Sequence, residues 1–93
     1  SPGTKCANWG PDCDLLKLQV DRLKVETSTL GGCKGGMGLW ELSERRNRWL
    51  DLAEARSRFN EKCWNGGNWG HQVALAQAWT VLGRCEKLLE ALP

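Results

Sequence analysis

Apolar residues fall along this chain in three separated runs, each with helical spacing. In the first, Leu16, Val20 and Leu23 keep the 4-then-3 spacing of one helical face. Asp12 or Asp14 stands before that run as an N-cap, so a helix is predicted over about 14–27. The second run begins near Leu39, with Ser43 as a later alternative start, and carries a stripe of Leu42, Trp49, Leu52 or Ala53, Phe59 and Cys63, predicting a helix over about 39–62. Arg45 and Arg56 share that seam, and the ordinary explanation is that their stems pack while their heads reach water. The third run has the clearest period: His71, Leu75, Ala78, Leu82, Cys85, Leu89 and Leu92 are spaced 4, 3, 4, 3, 4, 3, predicting a helix over about 70–91. Gly83 inside it lowers helix preference and allows a neighbouring backbone to come close. No stretch alternates with period two, and no repeat is present.

The connecting segments are equally legible. Residues 1–13 contain Pro2, Gly3, Gly10, Pro11 and two cysteines without a hydrophobic period, which predicts an irregular N-terminal arm tied down by a disulfide. Five glycines between Gly31 and Gly38 cannot sustain a helix, since each costs about 1 kcal/mol relative to alanine. The short linkers favour antiparallel neighbours, so the expected architecture is all-α: one domain over 1–93, a small disulfide-stapled three-helix, up-down-up bundle.

A chain of 93 residues has a small core, and five cysteines are read as staples suited to an oxidising compartment. In an up-down-up arrangement Cys85 lies 14 residues beyond His71, about 21 Å along the helix, near the pole that holds Cys33. Because a disulfide needs Cα atoms within about 7 Å, Cys33 is expected to pair with Cys85, and Cys63 with either Cys6 or Cys13, leaving one thiol free. A Cys63 to Cys85 bridge is disfavoured by the intervening helix. The cysteines and His71 match no standard zinc spacing, so neither a metal site nor a cofactor is expected.

The net charge of +2, from 13 basic and 11 acidic residues, is too balanced to indicate nucleic-acid binding by itself. Charged residues or Gln interrupt every apolar run well before the roughly 20 residues of a membrane span. The start at Ser1-Pro2-Gly3, without methionine, is read as a processed piece or an excised domain of something longer.

Candidate chemistry concentrates in Cys63-Trp64-Asn65-Gly66-Gly67-Asn68-Trp69-Gly70-His71, which holds the only histidine. The run leads into a helix N-terminus, where free N–H groups and the helix dipole favour an anion such as phosphate. Asn68, Gly70, Lys62 and Trp69 are therefore the substrate-binding candidates. The bland alternative is a tight interhelical turn capped by Asn68. His71, first on the inward stripe, has its protonated form opposed by burial and by the helix N-terminus. Helix two brings Arg58, Glu61 and Lys62, and helix one brings Asp12, Asp14 and Lys17, toward the same pole. A neutral imidazole with Glu61 and Arg58 is a candidate set for phosphodiester cleavage. Against it, a lone histidine at a helix start is commonly a packing or capping residue. Glu41 with Arg45 and Glu44 with Arg48 are expected to form ion pairs on helix two.

The pattern Cys63-x-Asn65-Gly66-Gly67-x-x-Gly70-His71, followed by an alanine-rich helix and Cys85, resembles the C-terminal toxin modules of bacterial polymorphic toxins, of the Rhs-type and type VI secretion effectors. The likeness covers the last third of the chain and, more loosely, Cys13-x-Leu15-Leu16. It implies a toxin cleaved from a large carrier, delivered into a target cell, neutralised by a cognate immunity protein, and often a nuclease with the Gly-His histidine, here His71, at its centre. The chain departs from better-characterised nuclease toxins in having no second histidine and no tyrosine.

Three functions stand from different classes. The first is an antibacterial effector acting on RNA or another nucleic acid, a metal-independent ribonuclease with His71 as base or acid. The second is a non-enzymatic toxin acting on the membrane through its tryptophans and amphipathic third helix. The third is a disulfide-bonded helical module that binds another protein.

Overall fold

A computed structural model describes residues 3–93, so the first two residues of the predicted arm lie outside the described part. Three helices follow in order: α1 (Pro11–Leu30), α2 (Leu39–Cys63) and α3 (Trp69–Glu90). No strand occurs among the described residues.

α1 is longer than its apolar run predicted, at both ends. Pro11 takes the first helical position, where its missing N–H is no loss, behind the extended Gly10; neither Asp12 nor Asp14 is the N-cap. Both aspartates instead lie in the first turn, their charge facing the positive end of the dipole. The arm therefore ends at Gly10, and Cys13 is helical. At the other end, Thr27 and Thr29 continue the helix, their hydroxyls donating back to the Leu23 and Val25 carbonyls. Gly31, at φ 74°, stops it. α2 and α3 lie within one residue of their predicted limits.

α2 is the middle element. It packs on α1 with one side and on α3 with another, while α1 and α3 bring no Cα atoms within 8 Å of each other. The result is an elongated body of 50 × 21 × 16 Å with a channel between the outer helices, floored by α2. One core cluster joins Val20 and Leu23 of α1 to Leu52, Ala53, Ala55 and Phe59 of α2 and Ala78 of α3; a smaller one holds Leu42 with the Cys33–Cys85 pair.

Two disulfides staple the fold, one joining α1 to the end of α2 and the other joining the α1–α2 loop to α3. Cys13 bonds Cys63, and Cys33 bonds Cys85, with Cα separations of 5.8 and 5.1 Å. This settles the open choice for Cys63 and leaves Cys6 as the free thiol among the described residues. The arm is tied not by a disulfide of its own but by hydrogen bonds: the Cys6 and Gly3 N–H groups donate to the Cys63 and Asn65 carbonyls, and the Asn65 amide donates to Thr4.

Two side-chain expectations are corrected. The Arg45 guanidinium donates to the Leu30 and Glu41 carbonyls, and Arg48 pairs with Asp51 at 2.6 Å, so neither joins the glutamate one turn earlier. A Cβ at Gly83 would meet nothing within 4 Å, so that glycine marks no close backbone approach.

Candidate functional site

The turn between α2 and α3 is built to place His71. Asn65, at φ 49°, is followed by Gly66 and Gly67 at φ 94° and 92°, which folds the chain back within four residues. At Gly67 the glycine is required twice: besides its φ, an added Cβ would stand 3.0 Å from the Asn60 side chain and 3.1 Å from the His71 Cβ. Asn68 caps α3 as expected, its Oδ1 accepting from the His71 N–H at 2.9 Å. Asn60, buried on α2, receives the Gly66 N–H on its carbonyl and donates its amide toward the His71 carbonyl at 3.4 Å.

The His71 ring belongs to a closed circuit of edge-to-face contacts. Trp9 meets Phe59 and Trp64 at 5.7 and 6.3 Å, and His71 meets the same two rings at 6.1 and 4.6 Å. Trp9 is itself fixed, donating from Nε1 to Asp14 Oδ1 at 2.7 Å, with the Lys5 ammonium 4.5 Å over its ring. The arm thus supplies one wall of a cleft of about 520 Å³. Its other walls are Lys17, Asp21 and Lys24 of α1, Arg56 and Phe59 of α2, Trp64 of the turn, and His71.

Three buried side-chain nitrogens lack a hydrogen-bond partner among the described residues: Arg56 Nε, Trp64 Nε1 and His71 Nδ1. All three belong to residues lining this one cleft. A buried donor left unpaired costs about 1–3 kcal/mol, so the concentration of three in one place is a polar deficit. Arg56 and Trp64 offer donors, while a neutral imidazole offers one donor and one acceptor. All three atoms are shielded from solvent.

Electrostatics agree with this arrangement. Burial pushes the His71 pKa below its ordinary 6.5, and the nearby Arg56 charge pushes in the same direction, so the ring is neutral at neutral pH. Burial also lowers the Arg56 pKa, opposed by Asp21; an arginine side chain in a protein keeps its charge. Asp21 is held below the usual carboxylate range chiefly by its hydrogen bond from Lys17 at 2.8 Å.

The predicted site residues separate into two groups. Arg58, Glu61 and Lys62 line a different depression with Asp12, Leu15, Leu16 and Gln19, and Lys62 Nζ lies 3.3 Å from Asp12 Oδ2. At about 100° per residue, Arg58 and Glu61 sit roughly 140–200° around α2 from Arg56, on another face. Trp69 is 80% exposed and, like Asn68 and Gly70, does not line the His71 cleft. The partners that the structure gives His71 are Arg56, Trp64 and Phe59. Arg56 carried a readable signal: it shares the face of Phe59 and Cys63 and has no carboxylate three or four residues away on either side. Trp9 carried none, since nothing in an irregular arm says which way it folds back.

The family model described as novel toxin 16 (Ntox16) matches residues 3–88. The chain belongs to the novel toxin 16 family. No curated protein and no solved structure matches it. The chain is thus a toxin domain, and the novel toxin 16 match runs from the arm through most of α3, taking in every residue of the His71 cleft. Membership and two disulfides fit a secreted protein. No helix among the described residues is long and apolar enough to cross a membrane.

Proposed function

We propose that this toxin domain is a ribonuclease whose working groups are His71 and Arg56. One observation carries the reading: the single histidine, held neutral, and a half-buried arginine line the same cleft, and the cleft's unpaired nitrogens belong to them and to Trp64. Two donors and one proton-accepting ring match what a ribose phosphodiester offers, namely anionic oxygens and a hydroxyl. In the proposed step a neutral His71 ring nitrogen takes the 2′-hydroxyl proton while that oxygen bonds to phosphorus. The bond from phosphorus to the 5′ oxygen breaks, and the departing oxygen takes a proton from solvent. Arg56 offsets the negative charge that grows on the phosphoryl oxygens. Glu61 and Arg58 have no part in this step.

A bacterial target, a carrier polypeptide and an immunity protein remain parts of the proposal, supported by the resemblance to Rhs-type and type VI effector modules. For a cytoplasmic target, the disulfides serve survival during delivery. The test is inducible expression in bacterial cytoplasm, with RNA integrity and membrane potential followed together. Growth arrest with RNA loss, abolished by His71→Ala in a protein of unchanged thermal midpoint, is the expected result. Arrest with intact RNA and a collapsed membrane potential would replace the nuclease reading with the membrane-active one.

A further inference from the structure

Beyond Arg56 the cleft continues into a second cavity of about 580 Å³, between α1 and α3 over the Trp49 and Leu52 side chains of α2. The two cavities share Lys24 and Arg56. Their continuity follows from helical phase. His71, Ala74, Ala78 and Val81 are spaced 3, 4, 3 on α3, and Arg56, Leu52 and Trp49 are spaced 4, 3 on α2, so single faces of both helices run from the cleft into the trough. Ala74, which lines the trough, lies about 4.5 Å of axial rise beyond His71.

The trough is mainly apolar, with its cationic residues, Lys24 and Arg56, being those it shares with the cleft. Ser28 and Gln77 also line it, both exposed. The Trp49 indole is oriented by its Nε1, which donates to the Gly31 carbonyl at 3.0 Å. Resting on the ribonuclease reading above, we infer that this trough is a nucleobase subsite: it takes the base next to the cleaved phosphodiester, while Lys24 and Arg56 hold the phosphate between. A base fits the lining because its faces are apolar and its edge carries donors and acceptors for Ser28 and Gln77. An acyl chain offers those two groups no hydrogen-bond partner. The volume lies within the range of small-ligand sites.

The experiment compares binding, so that cleavage does not enter. Uncleavable 2′-deoxy dinucleoside monophosphates, intact or abasic at either position, are titrated into the wild-type chain by calorimetry. At one of the two positions, removing the base is expected to weaken binding at least tenfold. Ala74→Leu, which fills the trough with a good helix former, is expected to erase that difference while binding the abasic ligand as the wild type does. Equal affinity for intact and abasic ligands in the wild-type chain overturns the subsite, without any variant needing to fold, and leaves the phosphodiester reading standing. Retention of the tenfold preference by a folded Ala74→Leu variant overturns it equally. Absence of binding by every ligand defeats the phosphodiester reading itself and the subsite with it.

Discussion

The imidazole of His71 and the indole of Trp64 meet edge to face with centroids 4.6 Å apart, and each ring has one buried nitrogen without a partner among the described residues. An ordinary aromatic core would satisfy or expose such atoms. Their retention beside the Arg56 guanidinium is the feature around which the account of this toxin turns.

pH dependence follows from the neutral state of His71. A base must be unprotonated, so the acidic limb of kcat/KM should lie below pH 6.5, because burial and Arg56 both depress the folded-state pKa. Arg56→Gln removes one of those causes and should move the limb upward. The same substitution should lower kcat/KM about 10–100-fold, the loss of one charge-assisted hydrogen bond. Stability carries the same sign. The unfolded chain binds the His71 proton more readily, so this residue's contribution is complete above pH 6.5 and is lost as pH falls through the folded-state value. His71→Gln should flatten that part of the stability curve, checked by urea unfolding at several pH values.

Gly67→Ala tests how the site is held. The new methyl group meets Asn60 and the His71 Cβ at about the same place, in a backbone conformation that L side chains rarely adopt. A loss of about 1–3 kcal/mol in unfolding free energy is expected, together with a drop in activity larger than the fraction unfolded explains. Gly66→Ala, where a Cβ meets nothing within 4 Å, pays only the conformational cost and should leave the folded fraction's activity intact.

Each disulfide joins residues 50 or 52 positions apart, which by chain entropy is worth about 2–4 kcal/mol. Replacing Cys13 and Cys63 by Ala should lower stability by about that much and also loosen the cleft, since Cys63 anchors the turn and the arm at Cys6. Replacing Cys33 and Cys85 should cost similar stability at the far pole with little effect on ligand affinity. Thermal unfolding and calorimetry on the two double variants separate these outcomes.

Much of this architecture was open to reading from the periodicity of Leu16 to Leu23 and of His71 to Leu92, because burial of one helix face leaves a mark at every third or fourth residue. The Cys33–Cys85 pairing followed from helix length within an up-down-up arrangement. The site was less legible. His71 stood out as the single histidine, but its partners depend on which way α2 is rotated, and Glu61 and Arg58 proved to be on another face from Arg56. Trp9 enters through an arm held partly by backbone hydrogen bonds to Cys63 and Asn65, and those depend on no residue pattern. That α1 and α3 stand apart, opening the channel, is a property of how both helices pack on α2, which apolar spacing does not encode.

Because the chain has one histidine, the proton on its ring carbon between the two nitrogens gives a single resolvable NMR signal, and its pH titration measures the site directly. The account predicts a pKa below 6.5 for the free protein and a saturable rise when an uncleavable 2′-deoxy dinucleoside monophosphate is added, as the bound anion stabilises the imidazolium. A His71 pKa of 6.5 or above that does not respond to the ligand, in a chain that remains folded, would contradict it.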